Sequence, residues 1–255
     1  YGGPLMIFLL KILKQSNKLD VDIIQLIKAM ELTSMARNEV CKSPSNEMEI
    51  NNCLDDKIVT KYLNLFNNKN FVGNTSKLSG FGSTTHLSVI DKDYNTVSIT
   101  TTNGEGSGIF IPEFGILMNN MLGEQDLNPF GFHQWPTTRR LPTMLSPTII
   151  FKNNKPLYAI GSGGSNRIRS AIIQVILNIT IKKMSLKDSI EESRVHLEGN
   201  KLFIEPDIIL PSNQYLEHLD IDYFNKKSLF FGGVNCAGIN DAVGDSRRGG
   251  GGKIF

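Results

Sequence analysis

Residues 81–103 read FGSTTHLSVIDKDYNTVSITTTN. Two runs, 84–91 and 95–103, are rich in Val, Ile and Thr and alternate in polarity. Lys92, Asp93 and Tyr94 between them supply a turn, so the stretch predicts a β-hairpin. With Asp91 opposite Asn95, Leu87 meets Ile99 and Val89 meets Val97 on one face, while Ser88 meets Ser98 and His86 meets Thr100 on the other. A slip by one residue would set apolar side chains against polar ones, so the alternation itself selects the register. At the open end Thr84 then falls opposite Thr102, with Gly82 and Ser83 just before it. A threonine that opens a strand behind small residues and faces a second hydroxyl suits an N-terminal nucleophile. Its hydroxyl is weak until a base takes its proton, and once the preceding peptide bond is cut its own α-amino group can be that base. On these residues alone, the alternative is an ordinary hairpin in an unrelated α/β protein.

The run TTHLSVIDKDYNTVSIT, residues 84–100, resembles the start of the small subunit of gamma-glutamyltransferases, a self-cleaving branch of the N-terminal nucleophile hydrolases. The resemblance implies a four-layer α/β/β/α sandwich, cleavage between Ser83 and Thr84, Thr84 as nucleophile and Thr102 as the group that orients it. No cofactor and no metal are expected. Three further segments extend the match. SGIFIPEFGILMNN, residues 107–120, is similar to the family's stretch leading to the donor's amino end, although Met121 stands where glutamine is usual and Glu124 where aspartate is. LPTMLSPT, residues 141–148, resembles a segment with paired serines, replaced here by Thr143 and Met144. The family's loop after Thr102 is shortened and loses an asparagine. Glu124 and Thr143 are therefore the expected substrate-binding residues, in a pocket poorer in polar groups than the family's.

AIGSGGSNR, residues 159–167, lies between a strand at 157–160 and a long amphipathic helix at 167–183. A phosphate-binding loop fails on detail, with no GK[ST] and with Asn166 where a glycine would be needed. Glycines between a strand and a helix also present unobstructed N–H groups to a developing oxyanion. The family's matching glycines form the oxyanion hole, which implies that role for Gly163 and Gly164, with Ser165 able to replace one of them.

The composition of the 255 residues is 40% hydrophobic and 20% charged, with net charge +2, which gives no electrostatic reason to propose a nucleic-acid or membrane partner. Cys41, Cys53 and Cys236 are odd in number and form no CxxC, and the four histidines lack metal-ligand spacing, so buried, inert thiols are expected. The apolar run at 5–13 is too short to span a bilayer and reads as a core helix. Helices at 21–40 and 56–67 follow, with a polar loop at 41–55 between them.

Residues 1–83 resemble the end of the family's large subunit, through Gly2 and Gly3 before a helix and KAMELTSMAR at 28–37, and residues 84–255 resemble the whole small subunit, together making part of one domain. That implies a longer precursor whose missing segment carries the arginine for the donor's α-carboxylate. Family members are often secreted or periplasmic, and no signal is visible here. Farther on, the pattern predicts strands at 109–111 and 115–118, a helix at 185–195 capped by Ser185, and strands at 202–205, 229–231 and 234–240. The DSRRG of residues 245–249 is similar to the family's ending. The implied chemistry is two-step acyl transfer from γ-glutamyl amides such as glutathione. An acylase of the same family acting on a non-glutamyl amide, cephalosporin-acylase-like, and a catalytically silent relative with a binding or structural role are the alternatives.

Overall fold

A computed structural model describes residues 1–16, 21–41, 49–68, 71, 84–124, 127–128 and 131–255. The chain opens with α1 (Gly2–Gln15), α2 (Ile23–Val40) and α3 (Asp56–Asn67). α1 buries Leu5, Phe8, Leu9 and Ile12, a stripe at helical spacing, against its neighbours. α2 starts at a capping box in which Asp22 accepts from Gln25 N and the Gln25 side chain accepts from Asp22 N. α3 turns Val59, Tyr62 and Phe66 inward, and Tyr62 meets Phe8 edge to face at 5.6 Å.

The main sheet has the order β11 (Ala242–Val243), β10 (Gly233–Gly238), β6 (Lys155–Gly163), β5 (Thr148–Lys152), all antiparallel. α4 (Arg167–Thr180) leaves β6 through a three-residue turn and packs back on β6 and β10. On the sheet's other side lies the hairpin of β1 (Thr84–Ile90) and β2 (Thr96–Thr102). Side chains of β6 alternate accordingly. Ser162 faces α4 and the backbone at Gly232, while Gly161 and Gly163 face the hairpin. Helices, sheet and hairpin thus stack in that order, and one hydrophobic core runs from Leu5 through Ile172 to Cys236. A small hairpin of β3 (Phe110–Ile111) and β4 (Ile116–Leu117) flanks the site, and α5 (Leu186–Glu191) leads to a mixed sheet of β7 (Val195–Glu198), β8 (Lys201–Ile204) and β9 (Asp220–Tyr223). Cys41, Cys53 and Cys236 are free and buried.

The hairpin register is the expected one, Thr84 opposite Thr102 and Leu87 opposite Ile99. The hairpin forms a two-stranded sheet of its own and lies face to face on the four-stranded sheet. Other expectations need correction. Residues 229–231 wind into a 3-10 turn, because Ser228 caps it by accepting from Phe230 N and Gly232 leaves it at φ +82°. The helix expected at 185–195 stops at Glu191, and Val195 already begins β7. The polar loop at 41–55 ends in a 3-10 turn, Glu49–Leu54.

The C-terminal DSRRG is not a loose tail. Asp245 pairs with Arg194 at 2.7 Å and accepts from Val234 N, while Arg247 pairs with Glu205 at 2.6 Å, and all four side chains are buried. Removing one partner would strand a buried charge, a loss on the order of 3–5 kcal/mol. The network therefore fastens the tail beneath β10, beside the strands that carry the site.

Candidate active site

The site begins where β1 begins. Thr84 donates its hydroxyl hydrogen to Thr102 Oγ1 at 2.9 Å, and Thr102 Oγ1 also accepts from Gly104 N at 3.0 Å. Thr102 is thus held by the turn that follows it, and it holds Thr84 in turn. Ser83, the residue on the other side of the expected cut, lies outside the described residues.

The strand bearing Thr84 is fastened from below by polar groups. His86 is buried, its Nδ1 2.7 Å from Thr100 Oγ1 and its Nε2 2.8 Å from Ser88 Oγ, and burial pushes the imidazole pKa down to about 4. The ring is neutral at pH 7. Asn235 Nδ2 donates to His86 O at 2.9 Å, and Ser98 donates to Ile160 O at 3.1 Å, so both β10 and β6 hold the hairpin. Two glycines permit the approach. A Cβ on Gly161 would sit 2.2 Å from the His86 ring, and one on Gly163 would sit 2.3 Å from Thr84 O.

Beyond Gly163 the chain turns through Gly164 at φ +136° and Ser165 at φ +52° into α4. Gly164 O and Ser165 O accept from Arg167 N and Ile168 N, whereas the amides of Gly164 and Ser165 donate to no described group. Ser165 lines the same small cavity as Thr84 and Thr102, together with Met121, Glu124, Leu127, Thr143, Met144 and Ile168. The structure therefore brings Thr84, Thr102, Glu124 and Thr143 together and places Gly163 against the Thr84 carbonyl, with Gly164 next to it. Ser165 joins them more directly than the sequence suggested.

The polar groups at the cavity are partly engaged. Thr143 Oγ1 accepts from Leu145 N at 2.8 Å, and its carbonyl accepts from Gly2 N at 3.2 Å, so the start of α1 seats this segment. Asn119 and Asn120 accept from Met121 N and Glu105 N, which commits both side chains to loop shape. Met144 is buried in the wall. Among the described residues no group of His, Cys, Asp or Glu is arranged to hold a metal ion, and no helix is long and apolar enough to cross a membrane.

The family model described as gamma-glutamyltranspeptidase matches residues 1–254. The glutathione hydrolase proenzyme of Bacillus subtilis subsp. natto is 38% identical over 182 residues, which is 64% of this chain and 30% of that relative. The chain thus spans less than a third of that relative's length. The transpeptidase CapD of Bacillus anthracis, in its second crystal form, superposes with TM-score 0.53 at 31% identity, covering 67% of this chain and 99% of the chain compared. A cephalosporin acylase from Bacillus halodurans shares the fold over 100% of this chain and 49% of its own, at TM-score 0.76 and 22% identity.

Proposed function

The chain belongs to the gamma-glutamyltranspeptidase family, and from that premise we propose that it transfers or hydrolyses the acyl group of γ-glutamyl amides such as glutathione through a self-processed threonine. Its fold, helices on one side of a four-stranded sheet and the hairpin on the other, is the part of the α/β/β/α sandwich of N-terminal nucleophile hydrolases that it shares with its solved relatives. The observation that carries the reading is the 2.9 Å hydrogen bond between Thr84 at the head of β1 and Thr102. It aims a hydroxyl from the one position where cleavage supplies the base.

In processing, Thr84 Oγ attacks the Ser83 carbonyl carbon, the acyl group moves from nitrogen to oxygen and frees the Thr84 amine, and water then hydrolyses the ester, releasing the Ser83 carboxylate and the Thr84 hydroxyl. In turnover that amine takes the hydroxyl proton as Oγ attacks the substrate's γ-carbonyl, then passes it to the departing amine. Water or an acceptor amine releases the acyl group from Thr84. The Gly163–Ser165 turn supplies backbone donors to the tetrahedral oxyanion, with Gly164 and Ser165 offering the two uncommitted amides. Glu124 and Thr143 hold the polar ends of the donor. Residues 1–83 and 84–255 act as two pieces of one domain, and a preceding large-subunit segment completes the donor site.

A second reading, an acylase acting on a non-glutamyl amide, is favoured by the cavity wall of Met121, Leu127, Met144 and Ile168. Each neutral hydrogen bond missing from a glutamyl site is worth on the order of 1 kcal/mol, so two or three losses weaken that donor about ten- to a hundredfold or more. Purified protein is expected to yield a fragment beginning TTHLSV, and Thr84→Ala to stay intact and inactive. Wild-type protein that remains one chain after long incubation defeats the self-processing step. The ratio of kcat/KM for γ-glutamyl against glutaryl anilides then separates the two readings: a strong γ-glutamyl preference supports the first, and parity supports the second.

A further inference from the structure

Asn166 is a residue type that caps helices and it stands at the N-cap of α4, yet its side chain makes no bond to its own helix. Its Nδ2 instead donates to Glu198 Oε1 at 3.1 Å, at the end of β7. One turn along, Ser170 Oγ lies 2.8 Å from His196 Nδ1, and a turn beyond that Gln174 both donates to Val195 O and accepts from Val195 N at 2.9 Å. Positions 166, 170 and 174 share one helix face, and His196 and Glu198 share one face of β7. The result is a three-rung polar seam between α4 and β7, buried at Asn166, Ser170, Gln174 and His196 and half-buried at Glu198.

Proton accounting fixes the middle rung. Ser170 donates its single hydrogen to Arg167 O at 3.0 Å, so His196 Nδ1–H is the donor to Ser170 Oγ. Burial keeps that imidazole neutral, with Nε2 3.6 Å from Glu198 Oε2. Ser170, His196 and Glu198 resemble a hydrolytic triad only in composition, since the serine proton is spent on a carbonyl and the hydroxyl is buried.

The first rung abuts the turn that carries the Gly164 and Ser165 amides. Ser165 at φ +52° is in a conformation that side chains rarely adopt and that persists only where surroundings over-determine it. The bond that draws Asn166 away from its helix end supplies such a constraint. We infer that Glu198 is a positioning residue for oxyanion stabilisation, acting through Asn166 on the pose of the Gly164 and Ser165 amides. This rests on the acyl-transfer reading above. A displaced donor acts on the transition state and not on ground-state binding, so its loss falls on kcat.

The test uses the intact protein and three variants. Glu198→Ala is expected to lower kcat about ten- to a hundredfold with KM within about twofold, and to shift the Gly164 amide resonance in spectra of 15N-glycine-labelled protein. Glu198→Gln keeps an oxygen that accepts from Asn166 and should restore both. Gln174→Ala, which breaks the far rung, is expected to lower Tm at least as much while leaving kcat and the Gly164 resonance in place. A Glu198→Ala variant with wild-type kcat and an unshifted Gly164 overturns the proposal, as does a kcat that falls in Glu198→Ala and Gln174→Ala alike in step with Tm. If the wild type turns over no γ-glutamyl anilide, the functional reading fails, and the Gly164 resonance still decides whether Glu198 sets the turn.

Discussion

Toward β6, the β1–β2 hairpin presents His86, Ser88, Ser98 and Thr100; away from it, the same strands present Leu87, Val89, Val97 and Ile99, which are 59%, 46%, 44% and 52% exposed. The polar face is the covered one. On most half-buried sheets the assignment is reversed, and an exposed apolar face together with a buried polar one is the informative observation. The buried face is tolerable because its groups are paired: His86 with Thr100 and Ser88, Ser98 with Ile160 O. It is also useful, because hydrogen bonds fix a strand in one place along its neighbour where an apolar contact could slide. The inner face is therefore built to locate Thr84, and the outer face contributes little to the described fold.

The largest effect should come from the inner face at its Thr84 end. Thr102→Val removes the hydroxyl that orients Thr84 and leaves Gly104 N without its acceptor. Turnover is expected to fall by roughly one to three orders of magnitude in processed enzyme, with the fold nearly intact. Kinetics equal to wild type would show that locating Thr84 does not depend on this hydroxyl.

A smaller effect is expected from the middle of that face. The unfolded His86 titrates near pH 6.5 and the folded one near about 4. Above pH 6.5 both states are neutral, so the imidazole imposes no penalty. As pH falls below 6.5 the unfolded chain takes a proton that the folded one refuses, and stability is lost progressively down to about pH 4. Between pH 7.5 and pH 5 this amounts to about 2 kcal/mol. Urea melts of wild type and His86→Asn at those two pH values should differ in their pH dependence by that amount. Equal dependence would mean that the polar face admits a charged imidazole.

The smallest effect is expected outside. Leu87→Ser should change the unfolding free energy by no more than about 0.5 kcal/mol, as for other exposed positions. A loss above about 1.5 kcal/mol, the scale of burying a Leu side chain, would show that the outer face is covered in the working protein and would erase the contrast.

Much of the hairpin was legible because strand alternation has period two, and a single turn then fixes every pair from Asp91 to Thr84. Which face would be buried was not legible. That is decided by Gly161 and Gly163, far along the chain, whose bare backbone admits His86 and the Thr84 carbonyl. Leu229, Phe230 and Phe231 misled because an apolar run of three satisfies strand and 3-10 turn equally, and the choice fell to Ser228 and Gly232 on either side. The seam on α4 carried a visible signal, Asn166, Ser170, Gln174 and Asn178 at intervals of four in an apolar helix. A polar stripe at that spacing reads as a solvent face, and nothing local says that β7 and α5 cover it with matching donors and acceptors.

The core shared by α1, α2 and α3 with α4, β6 and β10 would change meaning on the proposed cut before Thr84. In one chain, closing that core is an intramolecular event. In two pieces the same contacts would join two molecules, and stability would acquire a dependence on concentration. Gly2 bonded to Thr143 and Tyr215 bonded to Glu31 would become contacts between separate polypeptides, and dilution of unfolded fragments would separate them. Maturation would then act as a ratchet, and the lifetime of the mature form would be set by the rate at which the pieces come apart.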